Sequence, residues 1–384
     1  MSSTATTPDL LAAARAIAPV AREHAAQGER ERRLAPEVFD AMCNAGLYRM
    51  LLPREHGGGE ASLPEAMRVF EEVARADGSA GWCLMIGTVG NAFTAWLQPG
   101  VARQVCADSR LVIAGMFGAT GTAERVEGGW RVSGHWPFMS GIGQSSWSLG
   151  TCRVQENGEP VLGAAGNPLT MMFVAPTSAG RVIENWEVSG LCGTGSHDFA
   201  VDDLFVPEER SLHLFRDRPV HPSPLYRLTY QAQLWLYMAP VPLGIARGAL
   251  DDLAELAGRK TPSGGKALLR DLPYTQHRYA EAEVELRSAR AFLYETAADA
   301  WEHALAGEEY PTEKLMVAGL AARKASLTAQ RVTEVAHELA GATAIRLEHS
   351  LQRRFRDAHA ASQHVAFNPG IYENAGRTLL NQAG

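Results

Sequence analysis

Three stretches of different texture follow one another along the chain, and their order constrains the fold more than any single motif. From Pro8 to about Cys106 apolar residues recur at helical spacing; from about Arg110 to Pro207 short strands alternate with turns; from about Pro224 to Gln382 the helical spacing returns. Helices, then strands, then helices is an uncommon order, and it points to an α+β protein. The expected layout is an N-terminal helical domain over 1–109, a middle antiparallel β-barrel or sandwich over 110–215, and a C-terminal four-helix bundle over 216–384. A chain of 384 residues suits two or three such modules and can bury a cofactor between them.

The local punctuation is readable. Pro36 opens a helix through Phe39 and Met42 that Gly46 should stop, and Glu55 to Gly59 reads as a turn. Ser62-Leu63-Pro64-Glu65 has the form of a capping box ahead of Ala66, Val69, Phe70, Val73 and Ala74, which share one helix face. Gly128-Gly129 marks a hairpin turn, and Trp130, Val132, Gly134 and Trp136 alternate as half-buried antiparallel strands do. The last module carries apolar-periodic stretches at 229–258, 275–306, 312–342 and 348–365, with Pro240 and Pro242 expected to kink the first.

Composition excludes several function classes. Lys+Arg number 36 against 43 Asp+Glu, a net charge of −7 with no basic block, which argues against nucleic acid. The polar start MSSTATTPDL lacks a signal core and no run of about 18 apolar residues follows, so a cytoplasmic protein with no membrane association is expected. Five widely spaced cysteines fit reduced thiols better than disulfides or zinc, and His359 and His364 are too far apart for a same-face metal pair. The glycines of Gly190 to Ser196 lack dinucleotide spacing, Gly118 to Thr122 lacks a P-loop lysine, and no G-x-S-x-G elbow occurs. What remains is aromatic residues beside small hydroxyls at strand ends, in Trp136-Pro137-Phe138-Met139-Ser140-Gly141 and Trp186-Glu187-Val188-Ser189-Gly190. Such placement suits a flat ring system. It suits core packing, with Ser140 capping a turn, equally well.

The module order, the Trp136 to Gly141 motif, the run WEVSGLCGTGSHDFAVDDLFVP from Trp186 to Pro207, and RRFRDAHAASQH from Arg353 to His364 together resemble the acyl-CoA dehydrogenase superfamily. Within it the chain looks like the two-component flavin-dependent monooxygenases, the group D hydroxylases of phenols and indoles, along nearly its whole length from about Arg32 to Leu380. Dehydrogenases of this fold carry a catalytic Glu about eight residues after an Arg-Asp pair; after Arg356-Asp357 that slot holds Val365, and Tyr372-Glu373 comes too late to fill it. The monooxygenase branch has a Gln-His pair where Gln363-His364 stands.

The resemblance implies hydroxylation of a phenol, indole or polyketide-type aromatic by molecular oxygen through a flavin C4a-hydroperoxide, with reduced flavin from a separate NAD(P)H:flavin reductase. His364 and Ser140 are the implied catalytic residues, Ser140 at flavin N5 and His364 either taking a substrate proton or keeping the peroxide protonated. Trp136 and Phe138 are implied near the flavin ring, and Gly121, Thr122, Thr194, Gly195 and Ser196 toward its phosphate end. Gly341, in Leu339-Ala340-Gly341, is implied at the adenine half across a subunit boundary of a homotetramer. Ala340 in place of the usual Gly, and Cys192 where relatives often carry Arg, leave FMN against FAD open. Trp82, Asn91 and Phe93 are expected to face the substrate, Asn91 as the polar handle. The rival reading is a flavin dehydrogenase or amine/nitro oxidase, which needs a base at or near Val365.

Overall fold

The computed structural model describes residues 9–163, 166–213 and 216–381. The expected junction after residue 215 falls at Leu214 and Phe215, outside the described residues. Among the described residues five α-helices come first: α1 (Leu10–Glu31), α2 (Pro36–Asn44), α3 (Leu63–Ala76), α4 (Gly78–Ala92) and α5 (Pro99–Val105). Strands follow, eight among the described residues: β1 (Ile113–Val126), β2 (Gly129–Trp136), β3 (Trp147–Glu156), β4 (Glu159–Pro160), β5 (Thr170–Pro176), β6 (Arg181–Ile183), β7 (Asp198–Pro207) and β8 (Ser211–Leu212). The chain then returns to helices α6 (Tyr230–Met238), α7 (Pro240–Ala257), α8 (Pro273–Ala306), α9 (Thr312–Ala340), α10 (Ser350–Ala361) and α11 (Ile371–Asn381).

α3 buries the expected face, Ala66, Val69, Phe70, Val73 and Ala74. The capping box does not form: Ser62 occupies the N-cap, but its side chain makes no capping bond. Asp77 caps α4 instead, its Oδ2 accepting from the Ala80 amide at 2.9 Å. α4 is apolar on almost every side, and its only half-buried residues, Ile86 and Val89, face the cavity described below.

The β-barrel or sandwich expectation is corrected to one open mixed sheet in the order β6-β7-β2-β1-β3-β5-β8, with β4 on β3. β1 and β2 form the hairpin that Gly128 turns at φ +78°, but β3 returns parallel to β1, Ile113 opposite Trp147. Alternation in sequence reports which face is buried and not which strand is the neighbour, so this pairing left no trace in it. The β1–β3 register slips between Met116 and Ala119 and again before Gly121, a bulge of the kind that re-aims side chains beside binding sites.

Pro240 breaks the first C-terminal stretch into α6 and α7 at Ala239, as its missing amide requires. α7, α8, α9 and α10 pack together, and α3 packs on α7, so one apolar core runs through both helical regions. The sheet holds its own core around Trp136, Phe173 and Phe199. The two cores meet along α4, the β1 bulge and α6. Among the described residues no helix is long and apolar enough to cross a membrane.

Candidate active site

At that meeting point lies a cavity of about 730 Å³. Its walls come from α4, the bulged Gly115–Gly118 segment of β1, the loop after β2 carrying Phe138 and Ser140, the loop before β7 from Trp186 to Ser196, α6, and Gln363–Val365 beyond α10. Sequence positions nearly three hundred apart thus converge on one space.

Ser140 sits at the head of a buried hydroxyl chain. Trp82 Nε1 donates to Ser140 Oγ at 3.1 Å, Ser140 Oγ lies 2.7 Å from Ser196 Oγ, and Ser196 Oγ lies 2.7 Å from Thr194 Oγ1. Thr194 Oγ1 in turn donates to the Leu191 carbonyl at 2.7 Å. A hydroxyl has one proton. Thr194 spends its proton on Leu191, so Ser196 must donate to Thr194 and Ser140 must donate to Ser196. Ser140 Oγ, which also accepts from Trp82, is left with an acceptor lone pair for the cavity.

The turn that builds this chain depends on left-handed backbone at Leu191 (φ +54°) and Gly195 (φ +49°). A Cβ at Gly195 would come within 2.5 Å of the Arg32 carbonyl, so only glycine fits there. Asp357 on α10 anchors the same turn, its Oδ1 accepting from the Leu191 amide at 2.6 Å. Burial, with Asp77 adding repulsion, pushes the Asp357 carboxyl up to about 7 against the pull of Arg353 and Arg356.

His364 caps the short 3-10 turn Val365–Phe367, its Nδ1 accepting from the Ala366 amide at 3.2 Å. The neutral ring therefore carries its proton on Nε2. Burial lowers its pKa to about 4, which keeps it neutral near pH 7. In this tautomer Nε2 is a hydrogen-bond donor and not an acceptor. Trp82 packs edge-on against His364 with centroids 5.6 Å apart, so one indole braces both Ser140 and His364.

Phe138 stands at the cavity mouth, 65% exposed, with its ring edge-on to Trp186 at 6.0 Å. Its φ of +60° is strained for a bulky side chain, costing about 1–2 kcal/mol. The backbone around it is held by bonds from Met139 N to His197 O at 3.1 Å and from Gly141 N to Thr194 O at 2.9 Å. Strain fixed in this way at a cavity rim is a mark of a binding surface.

Trp82, Phe93, Phe138, Ser140, Thr194, Ser196 and His364 all line the cavity. The other residues named from the sequence lie outside its lining. Trp136 is fully buried in the sheet core, its Nε1 donating to Thr151 O at 2.9 Å and its ring edge-on to Phe173. Gly121 packs beneath that indole, where a Cβ would lie 2.2 Å from the ring, and the Thr122 hydroxyl donates to Ser133 O within the sheet. The cavity meets β1 at Gly115–Gly118 instead, where the bulge turns it inward. Gly195 shapes its turn without lining the cavity.

Asn91 offers no handle. Its Nδ2 donates to Tyr48 O and Leu111 O at 2.9 and 2.8 Å, and its Oδ1 accepts from Ile113 N at 2.9 Å, which clamps α4 to the start of β1. Gly341 ends α9 beside Lys260, whose Nζ holds Ala340 O and Thr343 Oγ1, and it does not line the cavity of its own chain. Glu373 is exposed on α11 and does not line the cavity, whereas Val365 does. Sequence reasoning missed Phe117, Tyr230, Gln233 and Tyr237, which line the cavity. The aromatic density of YQAQLWLYM in α6 was the one available signal for three of them.

Comparison with known proteins shows the family and the fold. Models of the acyl-CoA dehydrogenase N-terminal and C-terminal domains match residues 10–100 and 236–369. The chain is 34% identical to an indole-3-acetate monooxygenase of Pseudomonas putida over 94% of its own length and 91% of that protein. It is 30% identical to the flavin-dependent monooxygenase oxygenase subunit HsaA of Rhodococcus jostii, over 92% of this chain and 93% of that one. The crystal structure of a 3-HSA hydroxylase from Rhodococcus sp. RHA1 superposes with a TM-score of 0.91 at 29% identity, covering 98% of this chain and 97% of the other.

Proposed function

The chain belongs to the acyl-CoA dehydrogenase superfamily, in its flavin-dependent monooxygenase branch, and from that premise we propose that it is the oxygenase component of a two-component aromatic hydroxylase. A separate reductase supplies the reduced flavin, and the substrate is a small aromatic molecule. The observation that carries this reading is the pairing, through Trp82, of an acceptor at Ser140 with an Nε2–H donor at His364, on a cavity that no carboxylate lines among the described residues.

The residues fit a flavin. Reduced flavin presents an N–H at N5, and Ser140 Oγ keeps a lone pair of matching polarity because its own proton is committed to Ser196. Phe138, exposed at the mouth, and the half-buried Trp186 set edge-on beside it offer aromatic contacts to an isoalloxazine edge. When bound, reduced flavin supplies the two electrons that activate oxygen, so that one oxygen atom enters the aromatic ring and the other leaves as water.

The chain's own contribution is positional and electrostatic. Ser140 holds the N5 proton in place through the Ser196–Thr194–Leu191 chain, which also fixes its orientation. His364 donates from Nε2 toward the reacting oxygen, and its neutrality near pH 7 makes it a donor that does not discharge a proton into solvent. Met85, Ile86, Val89 and Leu234 give the cavity dry walls, which limit loss of activated oxygen as hydrogen peroxide. A homotetramer in which Gly341 meets a neighbour's flavin belongs to the same proposal. The test is turnover with reduced FMN or FAD, oxygen and indole or phenol: His364→Ala should keep flavin binding and divert oxygen to hydrogen peroxide. Unchanged coupling in that variant would sink the role given to His364.

A further inference from the structure

Among the described residues that line the cavity, none is Asp, Glu, Lys or Arg. Its polar groups are hydroxyls, amides and the His364 imidazole, set among aromatic and aliphatic walls. An anionic substrate brought into such a space loses its hydration and meets no countercharge, the situation in which buried charge is most costly. In the empty cavity burial holds the His364 ring neutral near pH 7, so it offers no standing countercharge.

The α4–α6 side of the cavity is an aromatic wall: Phe93 lies 5.3 Å from Phe117, and Phe117 4.9 Å from Tyr230. Beside it stands Gln233, 7% exposed, whose Nε2 donates to Leu228 O at 2.7 Å. That bond fixes the amide and leaves Oε1 as an acceptor with no proton of its own. Asn91, the residue that sequence favoured, has both of its amide ends occupied by backbone.

We infer that the cavity selects a neutral aromatic substrate bearing one N–H or O–H donor, which Gln233 Oε1 orients, and that it rejects aryl carboxylates. The inference takes its reaction from the monooxygenase reading and adds the substrate class and the specificity residue. It also separates this chain from the relative named for indole-3-acetate. A site built to pair a donor discriminates strongly against analogues that lack it, because its own polar group is then left unpaired.

The experiment compares indole, indole-3-acetate and benzothiophene, the last lacking a donor, in two ways: calorimetric binding to the anaerobic complex with reduced flavin, and hydroxylation once oxygen is admitted. Indole should exceed indole-3-acetate by at least about 100-fold in affinity and in kcat/KM. Gln233→Leu should cut the preference for indole over benzothiophene by roughly tenfold, the size of one paired group. Loss of the Leu228 bond weakens both ligands alike, so the ratio reads the handle and not the fold. Equal use of indole-3-acetate and indole would overturn the charge exclusion, and an unchanged ratio in Gln233→Leu would overturn the handle. Selective binding of indole with no hydroxylation would support the inference and overturn the monooxygenase reading.

Discussion

Replacing Ser196 by Ala should weaken the protein's preference for reduced over oxidised flavin. In the native chain of hydroxyls Ser140 donates to Ser196, Ser196 to Thr194, and Thr194 to Leu191 O, with O···O distances of 2.7 Å throughout. Reduced flavin offers a donor at N5 and meets Ser140 as it stands. Oxidised flavin offers an acceptor there, so Ser140 must turn its proton away from Ser196 and leave one buried pair unmade. A single internal hydrogen bond is worth about 0.5–1.5 kcal/mol, which converts to roughly a 2–10-fold bias in affinity. Ser196→Ala removes the acceptor that commits the Ser140 proton, so the ratio of oxidised to reduced dissociation constants should fall by that factor. Quenching of flavin fluorescence gives the oxidised value, and anaerobic titration with dithionite-reduced flavin gives the other. Thr194→Val should move the ratio in the same direction, since Ser196 can then donate back to Ser140. A ratio that stays fixed or rises in Ser196→Ala would refute the orientation of the chain.

Further expectations follow from the same geometry. His364→Gln, which retains an N–H donor, should recover part of the coupling lost in His364→Ala, measured as hydroxylated product per oxygen consumed. The pKa of His364 is lowered to about 4 from an ordinary 6.5, so between these values the unfolded chain binds a proton that the folded chain refuses. Its contribution to stability is therefore full above pH 6.5 and lost as pH falls toward 4, and urea midpoints of His364→Ala should fall less over that window than those of the wild type. The same shift predicts that coupling shows no histidine ionisation between pH 6 and 9. Asn91→Ala orphans three backbone groups at the α4–β1 clamp and should cost about 3 kcal/mol in urea unfolding, with KM for the aromatic substrate unchanged.

The order of modules, the α3 face and the Pro240 break were legible because they rest on periodicity and on chemistry local to the chain. Ser140 and His364 were legible through motif resemblance. The role of Trp136 was not: its burial follows from Gly121, Gly134 and Gly150 leaving room for the indole inside the sheet, a three-strand coincidence that no single strand announces. Asn91 looked like a handle because its type is polar and its segment faces the site, whereas its partners are backbone groups from Tyr48, Leu111 and Ile113. The α6 wall was missed for the opposite reason. Tyr230, Gln233 and Tyr237 belong to no motif, and only tertiary packing carries them to the far side of a cavity that Ser140 begins. Likewise the direction of the hydroxyl chain depends on one carbonyl, that of Leu191, which is specified by a left-handed turn and an Asp357 anchor 166 positions away.

The central claim is that this cavity couples reduced flavin and oxygen to an aromatic ring. The most direct test is a single turnover: protein and chemically reduced FMN or FAD are mixed anaerobically with indole, and oxygen labelled with oxygen-18 is admitted. The account predicts a hydroxylated product carrying one labelled oxygen, with little hydrogen peroxide. Reoxidation of the flavin at its free rate, with peroxide as the only product, while an acyl-CoA or nitroalkane bleaches flavin bound in the oxidised state, would contradict it and return the chain to the dehydrogenase and oxidase side of its superfamily.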